Sequence, residues 1–88
     1  VVQYAVLVHM FAQVSGLVPG QLVHVIADAH IYDRHVPIVE KILAQTPAPA
    51  PKFTVDPSVT DFYDFTPASF SLEGYTPAPF EDKIPIAI

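Results

Sequence analysis

Hydrophobic positions along the chain change period twice, and each change falls on a turn or cap signal. Residues 1–17 are apolar except Gln3, His9, Gln13, Ser15 and Gly16. Val1, Ala5, Val8, Ala12 and Ser15 share one helical face, and Tyr4, Leu7, Phe11 and Val14 share another. A helix that is apolar nearly all round belongs in a large core or a membrane. A membrane span needs about 20 apolar residues. Here His9 and two glutamines interrupt the run, and Gly16 and the Pro19-Gly20 turn signal end it early. The pattern predicts a buried core helix. Residues 22–32 then switch to β-branched and aromatic types, which predicts a strand. Strand side chains alternate between faces. Val23, Val25, Ala27, Ala29 and Ile31 take one face; Leu22, His24, Ile26, Asp28, His30 and Tyr32 take the other. A single bulge would break that parity.

Asp33 stands at an N-cap position, with Pro37 in the first turn behind it. Ile38, Val39, Ile42 and Leu43 form an apolar stripe at helical spacing, with Glu40, Lys41 and Gln45 outward. Residues 33–45 are therefore predicted as an amphipathic helix. Alternate prolines at Pro47, Pro49 and Pro51 make residues 46–52 an extended spacer. Phe53, Thr54 and Val55 form a short strand that Asp56-Pro57 closes, and residues 59–65 form an acidic, aromatic connector with one helical turn. Residues 70–75 alternate as another strand until Pro77 and Pro79. The tail 76–88 ends apolar. Disordered tails are usually polar, so this one is expected to dock. The predicted class is α+β: buried helix, long central strand, amphipathic helix, short strands and docked apolar tail.

Composition narrows the picture. Eighty-eight residues allow one domain at most, and a chain so short is marginally stable alone. Yet 51% of it is hydrophobic, and it opens inside an apolar run at Val1. Both features predict a piece of a larger fold or an obligate oligomer. Net charge is −5, with Arg34, Lys41, Lys52 and Lys83 the fixed cations, so duplex DNA is an unsuitable partner. No cysteine is present, which excludes a thiolate nucleophile or thiolate metal ligand among these residues.

The residues with chemistry cluster on one face of the predicted central strand. Asp28, His30 and Tyr32 are either satisfied polar groups of a core or interface, or a hydrogen-bonding platform for a small polar ligand. An imidazole and a phenol two residues apart suit a sugar hydroxyl. A metal site from His24, Asp28, His30 and His35 has suitable ligand types, but His35 falls in the helix and the helical His-x-x-x-His spacing is missing. Ser15, Ser58, Ser69 and Ser71 offer no Gly-x-Ser-x-Gly elbow. Three glycines make no phosphate loop.

In order, the chain shows Gln3-Tyr4-Ala5, Ala12-Gln13, Pro19-Gly20, Asp28-Ala29-His30-Ile31-Tyr32 and His35. After these come Pro47-x-Pro49-x-Pro51-Lys52, Leu72-Glu73-Gly74-Tyr75, Pro77-x-Pro79 and the apolar end. This closely resembles the carboxyl-terminal third of folate-dependent thymidylate synthase, uninterrupted over residues 1–88. Asp-x-His-x-Tyr followed about forty residues later by Glu-Gly-Tyr is quite specific. The resemblance implies one segment of a single domain, with 46–52 as connector and 76–88 as tail. It also implies a cytoplasmic homodimer whose subunits pack sheet to sheet, the central strand contributing.

That family reductively methylates dUMP to dTMP, with 5,10-methylenetetrahydrofolate as cosubstrate and no metal. Its cysteine nucleophile, phosphate-binding arginines, folate-binding aspartate and pyrimidine-reading asparagine correspond to positions before Val1. The 88 residues alone are therefore expected to be inactive. What the resemblance carries over is His30 and Tyr32, with Ile31 between them, at the deoxyribose hydroxyl. Ala87 and Ile88 match the tail that closes over folate. Departures are Gln3 for serine, Ala27 for glycine, Ala48 and Ala50 in a proline run lacking the family's arginine, and Ala78 for histidine. A dUMP or dCMP hydroxymethylase shares this segment and differs at the asparagine before Val1. A stand-alone binding or dimerisation module is the non-catalytic alternative.

Overall fold

The computed structural model describes residues 1–86. Helix α1 spans Val2–Ser15. Gly16 ends it in the left-handed region at φ 69°, which a residue without a Cβ adopts freely. The Leu17 amide donates to the Ala12 carbonyl at 2.8 Å and the Gly16 amide to Gln13 at 3.2 Å, a Schellman closure. The helix is where the apolar run predicts it, but it is not buried. Only Ala12 is buried on it, and Tyr4 and Phe11 are more than half exposed. The Pro19-Gly20 signal makes no turn, because the Gly16 cap already redirects the chain.

Residues 22–32 do not form the predicted strand. They run extended and exposed, with a turn at Ala27 and Asp28. A strand exists through ladder hydrogen bonds to a neighbour, and no described residue supplies that neighbour. The turn also interrupts the alternation that placed Asp28 on the same face as His30. A single 3-10 turn, Asp33–His35, leads into α2, Val36–Ala44. Pro37 sits in the first turn as expected, but Asp33 makes no side-chain cap bond. The His35 amide instead donates to the Tyr32 carbonyl at 2.8 Å.

Strands β1, Lys52–Val55, and β2, Phe70–Glu73, pair antiparallel. Phe53 faces Leu72, Val55 faces Phe70, and Lys52 faces Glu73. A bond from the Asp56 amide to the Ser69 carbonyl at 2.7 Å adds one more rung. Gly74, at φ 73°, ends β2 two residues earlier than the alternation predicts. The connector makes 3-10 turns at Phe62–Asp64 and Pro67–Ser69. The core is a chain of rings. His9 meets Phe53 at 4.9 Å, Phe53 meets Phe70 at 6.0 Å, and Phe70 meets Phe65 at 5.6 Å. Phe65 meets Phe62 at 6.0 Å, and Phe62 stacks on Phe11 at 5.1 Å. The chain of rings begins and ends on α1, tying the helix to the sheet and its connector. Gln13 adds two bonds at 2.8 Å, donating to the Asp56 and Val59 carbonyls.

Among the described residues the tail docks on the Asp33–His35 turn and α2, though not through Ile84 and Ile86, which are exposed. It is held by backbone carbonyls and Asp82, where apolar packing was expected. Ala87 and Ile88 lie outside the described residues.

Candidate functional site

The extended segment and the 3-10 turn together set three rings in a row. His30 and Tyr32 meet edge to face at 5.3 Å, and Tyr32 meets His35 in the same way at 5.6 Å. The turn makes this possible: its bond from the His35 amide back to the Tyr32 carbonyl brings residues 32 and 35 together. Tyr32 is 51% exposed and Ile31 59%. Ile26, Asp28, Ala29, His30 and Ile31 line an open concavity of about 470 Å³.

One hydrogen bond fixes the chemistry of His30. Its Nδ1 lies 2.8 Å from the Asp28 carbonyl oxygen. A carbonyl only accepts, so Nδ1 carries the proton, and in the neutral ring Nε2 is left as an acceptor. The Asp28 carboxylate sits 3.7 Å from the same nitrogen, with its side chain almost wholly in solvent. Asp28 therefore orients His30 through its backbone and does not share a platform with it. His30 Nε2 can accept a hydrogen bond from a ligand hydroxyl, and the Tyr32 hydroxyl can donate one. An acceptor beside a donor is the complement of an alcohol.

His24, His35, His30 and Asp28 do not gather into a metal-ligating group among the described residues. No described helix is long and apolar enough to cross a membrane. Sequence reasoning weighed His35 only as a metal-ligand candidate and assigned no site role to Arg34 or Lys41. All three reach the tail: His35 Nε2 lies 2.6 Å from the Pro85 carbonyl oxygen, Arg34 Nη1 donates to the Ile86 carbonyl at 3.2 Å, and Lys41 Nζ donates to Asp82 at 2.6 Å. No local pattern signals contacts across about fifty residues of sequence.

A helix on a two-stranded sheet, beside an extended segment presenting an imidazole–phenol pair, makes an α+β segment. The profile of the thymidylate synthase family matches residues 1–88. Thymidylate synthase from Clostridium beijerinckii is 49% identical over 75 residues, which cover 83% of this chain and 28% of that protein. The structure of thermostable thymidylate synthase A from Bacillus subtilis superposes with a TM-score of 0.83 at 36% identity, covering 98% of this chain and 30% of that one. The chain belongs to the thymidylate synthase family, and it spans under a third of the length of these relatives.

Proposed function

We propose that these residues supply the nucleotide-sugar subsite and the closing tail of a homodimeric, cytoplasmic thymidylate synthase. The complete enzyme converts dUMP to dTMP with 5,10-methylenetetrahydrofolate as donor of carbon and hydride. The observation that carries this reading is the His30–Tyr32 pair, with its assigned acceptor and donor, in a chain matching the family along its whole length. The ribose hydroxyl donates to His30 Nε2 and accepts from Tyr32, which holds the pyrimidine at a fixed distance from the attacking group. Positioning of this kind removes orientational freedom that the reaction would otherwise have to lose. The chain has no cysteine, so the nucleophile that adds to the pyrimidine comes from other residues of the enzyme. Ala87 and Ile88, matching the family's last residues, close over the folate and exclude water.

Tritium release from [5-3H]dUMP by the complete enzyme, with dTMP as product, tests the reaction. A hydroxymethylated nucleotide would assign the chain to the hydroxymethylase branch. Unchanged nucleotide affinity in both Tyr32→Phe and His30→Ala would remove the sugar assignment.

A further inference from the structure

We infer that His35 is a positioning residue. It latches the tail at Pro85 and ties it to Tyr32, so the sugar subsite and the tail share one mechanical support. The inference rests on the proposed reading for the role of Tyr32, but the latch itself is defined by geometry. His35 Nε2 lies 2.6 Å from the Pro85 carbonyl oxygen, in a part-buried setting. That oxygen only accepts, so Nε2 must carry the proton. The same ring stands edge to face with Tyr32 at 5.6 Å. One imidazole thus packs against the nucleotide-sugar residue and meets the tail with its N–H.

The contacts around it are in register. Lys41 meets Asp82, His35 meets Pro85 and Arg34 meets Ile86, so the tail runs antiparallel to the helix. Six residues of helix rise about 9 Å, and three extended residues cover about 10 Å. The two spans match, which lets separate contacts form without bending either element. The contacts are unequal. Lys41 is well exposed and the Asp82 side chain is 36% exposed, and ion pairs open to solvent on one side contribute little. Arg34 donates at a longer 3.2 Å to a carbonyl on an exposed residue. The His35 bond is the part-buried one, and it lies nearest the nucleotide pair.

Limited trypsin cleavage after Lys83 in the complete, ligand-free enzyme tests the latch without depending on turnover. Lys83 lies between the Asp82 and Pro85 contacts. Cleavage in a reclosing segment tracks the open population. His35→Phe keeps a ring beside Tyr32 and removes the donor. Cleavage should accelerate about three- to tenfold, the equivalent of one hydrogen bond. His35→Gln restores an N–H donor of similar reach and should bring the rate back toward wild type. In turnover, His35→Phe should raise the KM for folate while the KM for dUMP stays within about twofold, since the Tyr32 contact is kept. Equal cleavage rates in wild type, His35→Phe and His35→Gln would overturn the latch. So would faster cleavage in both variants alike with a matching fall in Tm, which is the signature of general destabilisation. A wild-type enzyme that makes no dTMP would sink the proposed function while leaving the cleavage comparison intact.

Discussion

The Tyr32 ring meets two imidazoles, those of His30 and His35. Phenylalanine keeps both contacts, so Tyr32→Phe isolates the hydroxyl. In the complete enzyme it should weaken nucleotide binding by about 0.5–1.5 kcal/mol, the net worth of one hydrogen bond, with Tm unchanged. Calorimetric titration with dUMP measures it. The i, i+2 spacing made this pair legible in the sequence. The role of Asp28 was not legible, because a turn breaks the alternation and turns its carbonyl, not its carboxylate, toward His30. A second residue carries a pH signature. The Ser58 hydroxyl donates to the Asp56 carboxylate at 2.7 Å, and the Ser58 amide donates at 3.0 Å. The hydroxyl bond first, then the amide bond, holds Asp56 below the usual carboxylate range. A folded pKa below the unfolded one adds stability above the unfolded value, and that stability is lost as pH falls through the folded one. The carboxylate is solvent-exposed, so the contribution is small. Ser58→Ala removes the larger cause, and the Asp56 titration followed by carbon-13 NMR should move up toward its ordinary value.

At the scale of elements, local signals located what local forces make. The Gly16 stop, the Pro37 first turn, the short strands and the turn at Phe62–Asp64 rest on backbone preference and near-neighbour bonds. They fall where the pattern puts them. Residues 22–32 differ because their β-branched composition expresses a preference that only a partner strand can satisfy. The chain of rings was equally hidden, since two of its links, Phe62 and Phe65, lie in a stretch that reads as a connector. Phe70 is its central link, in contact with both Phe53 and Phe65. Each aromatic pair contributes about 0.5–1.5 kcal/mol beyond area burial. Phe70→Ala removes two such pairs and opens the rung opposite Val55. It should destabilise the complete enzyme by about 2–4 kcal/mol, below or within the range for core phenylalanines because Phe70 is half-buried. Phe70→Leu, which keeps apolar volume, should lose less. Equal losses in the two variants, measured by urea unfolding, would show that the ring contacts add nothing.

At the scale of the whole molecule, surface and size disagree with an independent fold. A compact monomer of 9.6 kDa exposes about 5,100 Å², whereas this chain exposes 7554 Å². The radius of gyration is 16.9 Å, against about 12 Å for a compact chain of this length. The excess of roughly 2,500 Å² is in the range that obligate partners bury. Its location is informative. Val1 and, from the first helix, Val2, Ala5, Val6 and His9 line an apolar concavity with Phe53 and Leu72, and Val23, Val25, Ile26 and Ile31 stand open beside their unpaired backbone. One surface needs side chains to cover it, and the other needs a strand as well. The purified 88-residue chain should therefore self-associate, with a light-scattering mass well above 9.6 kDa at micromolar concentration. It should also release no tritium from [5-3H]dUMP, because it holds no thiol to add to the ring. The two measurements separate cause from consequence. A monodisperse monomer with a cooperative melt would mean that the open apolar surface is tolerated, whatever the activity. A chain that associates and is inactive, but recovers turnover when the remaining part of the enzyme is added in trans, would show that the missing cover and the missing nucleophile come from the same polypeptide.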